Sequence, residues 1–126
     1  MTEQDFALRY DRWFLPFSVP LGLGPRRARI RLAAGALEVR MGWAFRARIP
    51  LDAIRTAAPA PGRVTGWGVH GFAGDWLVNG SARGLVRLEV DPAASARMMG
   101  IPVPLRRLRL SVTDPAAFVA AVRSVA

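Results

Sequence analysis

Apolar and polar residues alternate with a period of two along much of the chain, the pattern of half-buried strands in an antiparallel sheet. Between 27 and 32, Ala28, Ile30 and Leu32 alternate with Arg27, Arg29 and Arg31. Leu37, Val39 and Met41 then alternate with Glu38 and Arg40, and Trp43, Phe45, Ala47 and Ile49 with Ala44, Arg46 and Arg48. Ala34-Gly35 suits a two-residue hairpin loop and Met41-Gly42-Trp43 a three-residue one. In the register those loops set, Ile30 faces Val39, Val39 faces Phe45, Leu37 faces Ala47, and Glu38 lies between Arg31 and Arg46. The apolar rows coincide on one side, which supports the pairing.

Upstream, 5–15 reads as a strand through Phe6, Leu8 and Tyr10 that runs into an apolar stretch broken by Pro16 and Pro20. After the meander, Pro50-Leu51-Asp52-Ala53-Ile54 predicts a single helical turn, and 57–62 a rigid loop. The glycine-rich 63–84 segment holds strand-like pieces at 64–69 and 75–78, and Asn79-Gly80 is a strong hairpin signal. A strand through Val86, Leu88 and Val90 ends at Asp91-Pro92, a short strand follows around 96–99, and 105–112 alternates through Leu108, Leu110 and Val112. Asp114 then caps a helix with Pro115 at its first position. Phe118, Val119, Val122 and Val125 share one face of it, and Arg123 lies near the negative end of its dipole. Six or seven strands and one closing helix, without repeat or linker, predict a single domain over 1–126.

Composition narrows the classes. The 126 residues carry 18 basic and nine acidic side chains, a net charge of +9, and every basic residue is arginine. With abundant alanine, this usage matches a GC-rich coding sequence. The absence of cysteine excludes disulfides, thiolate zinc sites and cysteine nucleophiles. The polar opening Met1-Thr2-Glu3-Gln4-Asp5 and the lack of an 18-residue apolar window predict a cytoplasmic protein, free or attached peripherally to a membrane.

Catalytic signatures are weak. Gly66-Trp67-Gly68-Val69-His70-Gly71 satisfies GxGxxG, but no helical period follows to meet a pyrophosphate, so no nucleotide or other cofactor is expected. His70 is the single histidine and has no second ligand for zinc, and Ser81 sits on an expected turn without a nucleophile elbow. Asp91 and Asp114 read as turn and cap, Asp52 opens the helical turn, and Glu38 and Glu89 lie among arginines. Asp75 has no assigned role. The expectation is a protein without catalytic residues, metal or cofactor.

Arginine carries the informative signal. One side of the meander holds Arg27, Arg29, Arg31, Arg40, Arg46 and Arg48 against Glu38, a net charge of +5 on one face, with Arg26 entering from the preceding loop. Guanidinium forks match phosphate and carboxylate geometry. Just before them, the 13–23 loop carries Trp13, Phe14, Leu15, Phe17, Val19, Leu21 and Leu23, more apolar surface than a polar loop needs. Trp13, Phe14, Leu15 and Phe17 are the candidates for a membrane or subunit contact.

The meander, the Ile49-Pro50-Leu51-Asp52-Ala53-Ile54 turn and the final Leu110-Ser111-Val112-Thr113-Asp114-Pro115…Phe118-Val119…Val122 segment resemble bacterial pleckstrin-homology-type domains, most strongly over 27–126. Trp67-Gly68-Val69-His70-Gly71 and Trp76-Leu77-Val78-Asn79-Gly80-Ser81 are similar to short actinobacterial proteins of this type. The resemblance implies a mainly β fold, a barrel of two near-orthogonal antiparallel sheets capped by the C-terminal helix. It implies a binding or assembly module rather than an enzyme. Lipid-binding eukaryotic members use a basic-x-Arg strand motif, which Arg29-Ile30-Arg31 fills, although three other Arg-x-Arg doublets also fit. The expected partner is an anionic membrane surface, an acidic protein or another subunit of a homo-oligomer. The alternative is nucleic acid on the same arginine face, against which stand the lack of aromatics interleaved with arginine and of a recognition helix.

Overall fold

Period-two segments become strands and the one 3.6-period segment becomes a helix. A computed structural model describes residues 4–22, 24–33, 35–60, 68–72, 74–81 and 83–125. The fold is mainly β, with β1 (Gln4–Phe6), β2 (Ala28–Ala33), β3 (Ala36–Met41), β4 (Phe45–Pro50), β5 (Ile54–Pro59), β6 (Gly68–Phe72), β7 (Asp75–Asn79), β8 (Leu85–Met98) and β9 (Ile101–Ser111). A short helix, α1 (Leu15–Ser18), and a C-terminal helix, α2 (Pro115–Val125), complete it. The expected helical turn is present as a 3-10 turn over Leu51–Ala53.

All these strands belong to one hydrogen-bonded sheet in the order β1-β2-β3-β4-β8-β9-β7-β6, with β5 on β8. The sheet curls into a half-barrel. β8 is its pivot: Ala96–Met98 pair with β4, Val86–Val90 pair with β5, and the β8–β9 register shifts between Glu89 and Ala94. Asp91-Pro92 therefore does not end the strand. It lies within the irregular stretch, where a residue without an N–H is tolerated. β7 runs parallel to β9, a departure from an all-antiparallel arrangement.

The first hairpin closes as expected, with Ile30 opposite Val39 and Ala33 opposite Ala36. The second is displaced. Its loop is Gly42-Trp43-Ala44, so Met41 faces Phe45, Val39 faces Ala47 and Leu37 faces Ile49. Met41 and Phe45 are both fully buried, and that packing sets the loop. Trp43, expected in the strand and facing inward, stands instead at the hairpin tip with half its surface exposed. Glu38 consequently lies between Arg31 and Arg48, not Arg46.

The expected strand over 5–15 is interrupted. After β1 the chain crosses the open side of the curl through single bridges, Leu8 to Val112 and Tyr10 to Gly80, then enters two helical turns over 12–18. Asn79-Gly80 is not a hairpin turn, because β9 separates β7 from β8. A Cβ at Gly80 would run into the Tyr10 ring and the Arg9 carbonyl, so glycine admits the crossing segment. The junction is densely bonded: Asp11 N–H donates to the Gly80 carbonyl (2.7 Å), Gly80 N–H to Ser111 Oγ (3.0 Å), and Ser81 Oγ to Asp11 Oδ1 (2.7 Å). The expected strand and loop readings at 61–67, with Trp67, lie outside the described residues, as does Leu23.

Inward side chains of all layers meet in one core that includes Ile30, Leu37, Phe45, Leu88, Leu105 and Leu108. α2 contributes Phe118, Val119 and Val122, and the Phe118 ring meets Phe6 edge-on at 5.2 Å. Asp114 caps it as expected, accepting the Ala117 N–H at 3.1 Å.

Candidate anion-binding face and apolar rim

The outward residues of β1, β2, β3, β4 and β8 form two rows of different character, one across β2, β3, β4 and β8 and one across β1, β2, β3 and β4. In the first, Arg29 lies opposite Arg40, Arg40 opposite Arg46, and Arg46 opposite Arg97. Four arginines thus stand side by side across four strands, about 14 Å from first to last at ordinary strand spacing. In the next row Asp5, Arg31, Glu38 and Arg48 follow one another with alternating sign. Arg31 Nε reaches Asp5 Oδ1 at 3.2 Å and Arg48 Nε reaches Glu38 Oε1 at 3.7 Å.

The first row has no such compensation. All four arginines are exposed, and among the described residues none of them makes an ion pair. Two are anchored to backbone instead: Arg40 Nε donates to the Gly42 carbonyl (3.4 Å) and Arg97 Nη1 to the Gly100 carbonyl (3.0 Å). A shallow groove of about 440 Å³ runs over the row, lined by these four with Arg48, Ser95 and, from the paired row, Glu38, whose carboxylate is engaged by Arg48 at 3.7 Å. Like charges directly opposite one another destabilise a sheet, so the row is electrostatically incomplete by itself.

Of the candidate arginines, Arg29, Arg40 and Arg46 belong to the unpaired row, whereas Arg31 and Arg48 belong to the paired one. Arg26 and Arg27 are exposed in the turn Pro25–Arg27 before β2. There they line a hollow of about 600 Å³ together with Leu15, Val19 and Gly24. Arg97 escapes sequence reasoning because the chain around it reads as a detached short strand. The only signal is the alternation of Ala94, Ala96 and Met98 with Ser95 and Arg97.

The apolar loop divides as well. Trp13 and Phe17 are exposed and their rings meet at 6.4 Å, while Phe14 and Leu15 are half-buried and Phe14 stacks on Tyr10 at 6.3 Å. Burial pushes the Tyr10 hydroxyl above its usual range, so it stays neutral at physiological pH. Further exposed apolar residues are Leu21, already part of the apolar 13–23 loop, and three at positions where the sequence gives no hint of exposure. Leu21, Trp43, Met99 and Ile101 are each more than half exposed, at the turns that end β3, β8 and the 13–22 segment. Trp43 Nε1 donates to the Leu21 carbonyl (2.6 Å), and Met99 N–H to the Ala44 carbonyl (2.9 Å), which ties these turns into one rim.

The remaining chemical candidates find structural partners. Asp75 sits opposite Arg107 and pairs with it at 3.4 Å and with Arg109 at 3.9 Å, while Arg107 also reaches Glu89 at 3.7 Å. Gly68–Gly71 of the GxGxxG stretch lie in a strand, and a Cβ on Gly71 would overlap the Trp76 ring packed on it. The His70 side chain, and Gly66 and Trp67, lie outside the described positions. Among the described residues no helix is long and apolar enough to cross a membrane. Comparison with protein-family models, with curated proteins and with solved structures finds no match for this chain.

Proposed function

We propose that the chain is a non-catalytic binding module of pleckstrin-homology type whose Arg29–Arg40–Arg46–Arg97 row holds a partner rich in phosphate or carboxylate. The observation that carries this reading is the contrast between adjacent rows. Every arginine of the second row has an acid directly opposite it, whereas among the described residues no arginine of the first makes an ion pair, the Glu38 at the groove's edge being taken by Arg48. An anion laid along the groove supplies the missing charge and uses guanidinium forks that are already side by side. The pleckstrin-homology reading is supported by a mainly β half-barrel whose long β8 pairs with β5 in one half and β4 in the other, with α2 seating Phe118 in its core.

Titration of inorganic tripolyphosphate by calorimetry tests the proposal. The wild-type chain is expected to bind it, and replacement of Arg29, Arg40, Arg46 and Arg97 by Gln to abolish binding. Replacement of Arg55, Arg83, Arg87 and Arg106 by Gln removes the same charge elsewhere and is expected to leave binding intact. Equal losses in the two variants would show that net charge, not the row, attracts the anion.

A further inference from the structure

Two parallel lines of side chains cross one end of the sheet. The cationic row is the outward position nearest the β3–β4 and β8–β9 turns. The apolar rim of Leu21, Trp43, Met99 and Ile101 lies at those turns and at the segment bonded to them. Trp43 follows Arg40 by three residues and Met99 follows Arg97 by two, while Ile101, opposite Met98, lies one position beyond Arg97. The rim therefore projects about 3–10 Å beyond the arginine backbone along the strand direction. The bonds from Arg40 to the Gly42 carbonyl and from Arg97 to the Gly100 carbonyl draw those side chains towards the rim.

Met99 adds an independent observation. Its φ is +51°, and with Gly100 at +80° it occupies a two-residue turn in which both positions are left-handed. Such turns favour Asn-Gly, because a long side chain at the first position is strained. Here that strained position carries a methionine with 56% of its surface in solvent. Within the fold an exposed Met brings nothing that Asn would not do better. Strain of this kind concentrates at functional sites.

We infer that the partner is an anionic lipid bilayer, entered rim first, with Leu21, Trp43, Met99 and Ile101 in the headgroup–acyl boundary and the four arginines on lipid phosphates. The inference rests on the anion-binding role of the row and names what the row binds. Interfacial apolar groups lie about 5–10 Å below the headgroup level, a depth that the offset of Met99 and Trp43 from the row falls within. Arginine reaches towards phosphate along an aliphatic stem that tolerates the interface. A second copy of the chain would set one cationic row against another. Nucleic acid offers phosphate but no layer to cover the aliphatic rim.

Co-sedimentation with vesicles of phosphatidylcholine alone or mixed with phosphatidylglycerol tests the inference, with tripolyphosphate binding measured in parallel. Wild-type protein is expected on the mixed vesicles only. The L21S/M99N/I101S variant is expected to lose on the order of 30-fold in vesicle affinity, with tripolyphosphate binding unchanged. The single change Met99→Asn is expected to raise Tm and weaken vesicle binding, opposite signs that a misfolded variant cannot produce. Wild-type vesicle binding by the triple variant, or a preference of the wild type for DNA or polyglutamate over vesicles, overturns the bilayer and leaves the anion-binding row standing. Failure of the wild type to bind tripolyphosphate and vesicles alike overturns both.

Discussion

Two rows of outward side chains lie one pleat apart on the same strands, built from the same residue type, and they have opposite electrostatic character. Asp5, Arg31, Glu38 and Arg48 alternate in sign and pair across strands. Arg29, Arg40, Arg46 and Arg97 repeat one sign without relief. The same alternation recurs at the far side of the sheet, where Arg107 lies between Glu89 and Asp75. Codon bias explains why the cations are arginines rather than lysines. It does not explain why acids accompany them in two rows and are missing from the third. The arginine count is therefore a poor guide to function, and the neighbours of each arginine are a good one.

The largest expected effect removes the uniform row altogether. Changing Arg29, Arg40, Arg46 and Arg97 to Gln should lower affinity for phosphate-bearing partners by about 100-fold or more, at roughly 1.5–3 kcal/mol per charge-assisted contact. The fold should survive, since all four side chains face solvent; unchanged or slightly raised stability to urea is the check. A smaller effect makes the paired row resemble the unpaired one. Glu38→Arg places three arginines in line between β2 and β4, loses one ion pair and adds two repulsions. It should cost about 1–2 kcal/mol in urea unfolding, and tripolyphosphate affinity should rise if uniform sign is what recruits the anion. The converse change, Arg46→Glu, inserts an acid between Arg40 and Arg97. A gain of about 0.5–1 kcal/mol in stability with a loss of anion binding would separate the two properties in one residue.

The faces of the strands were legible in the sequence, but the row was not. Alternation assigns Arg29, Arg31, Arg40, Arg46 and Arg48 outward, and the structure agrees. Register is another matter. Moving the β3–β4 loop from 41–43 to 42–44 changes every cross-strand partner by two residues. Outside Trp43 and Ala44 in the loop itself, it leaves the side chains of β3 and β4 on their expected faces, so the hydrophobic pattern of the strands cannot detect it. In the expected register Arg46 faces Glu38 and looks neutral. In the observed one Arg46 faces Arg40, and the like-charged row exists because Met41 and Phe45 pack together in the core. The rim was hidden for the same reason, since Trp43 becomes a tip residue only when the loop moves. Local signals misled where tertiary contacts set the outcome. Asn79-Gly80 reads as a turn, yet its glycine makes room for Tyr10, and Asp91-Pro92 reads as a strand end, yet β8 carries it through an irregularity. The helix cap at Asp114 and the face of Phe118, Val119 and Val122 were legible because they depend on neighbours within a single turn or two.

Salt provides the gentlest test, because it acts on the two rows with opposite signs. At about 1 M salt the Debye length falls to about 3 Å, less than the spacing between neighbouring strands. Screening then removes repulsion from the Arg29–Arg97 row and attraction from the Asp5–Arg48 row. In the wild-type protein these changes offset, so the net shift in stability should be small and uninformative. The Arg46→Glu variant breaks that balance, since it leaves Arg29 opposite Arg40 as the single like-charged pair between neighbouring strands in these rows. Salt should therefore destabilise the variant relative to the wild type by a few tenths of a kcal/mol, measured as a difference between their urea midpoints. A difference of zero would mean that the four guanidinium groups splay far enough apart to ignore one another. The row would then need no anion to complete it, and the contrast between the two rows would be one of position without energetic consequence.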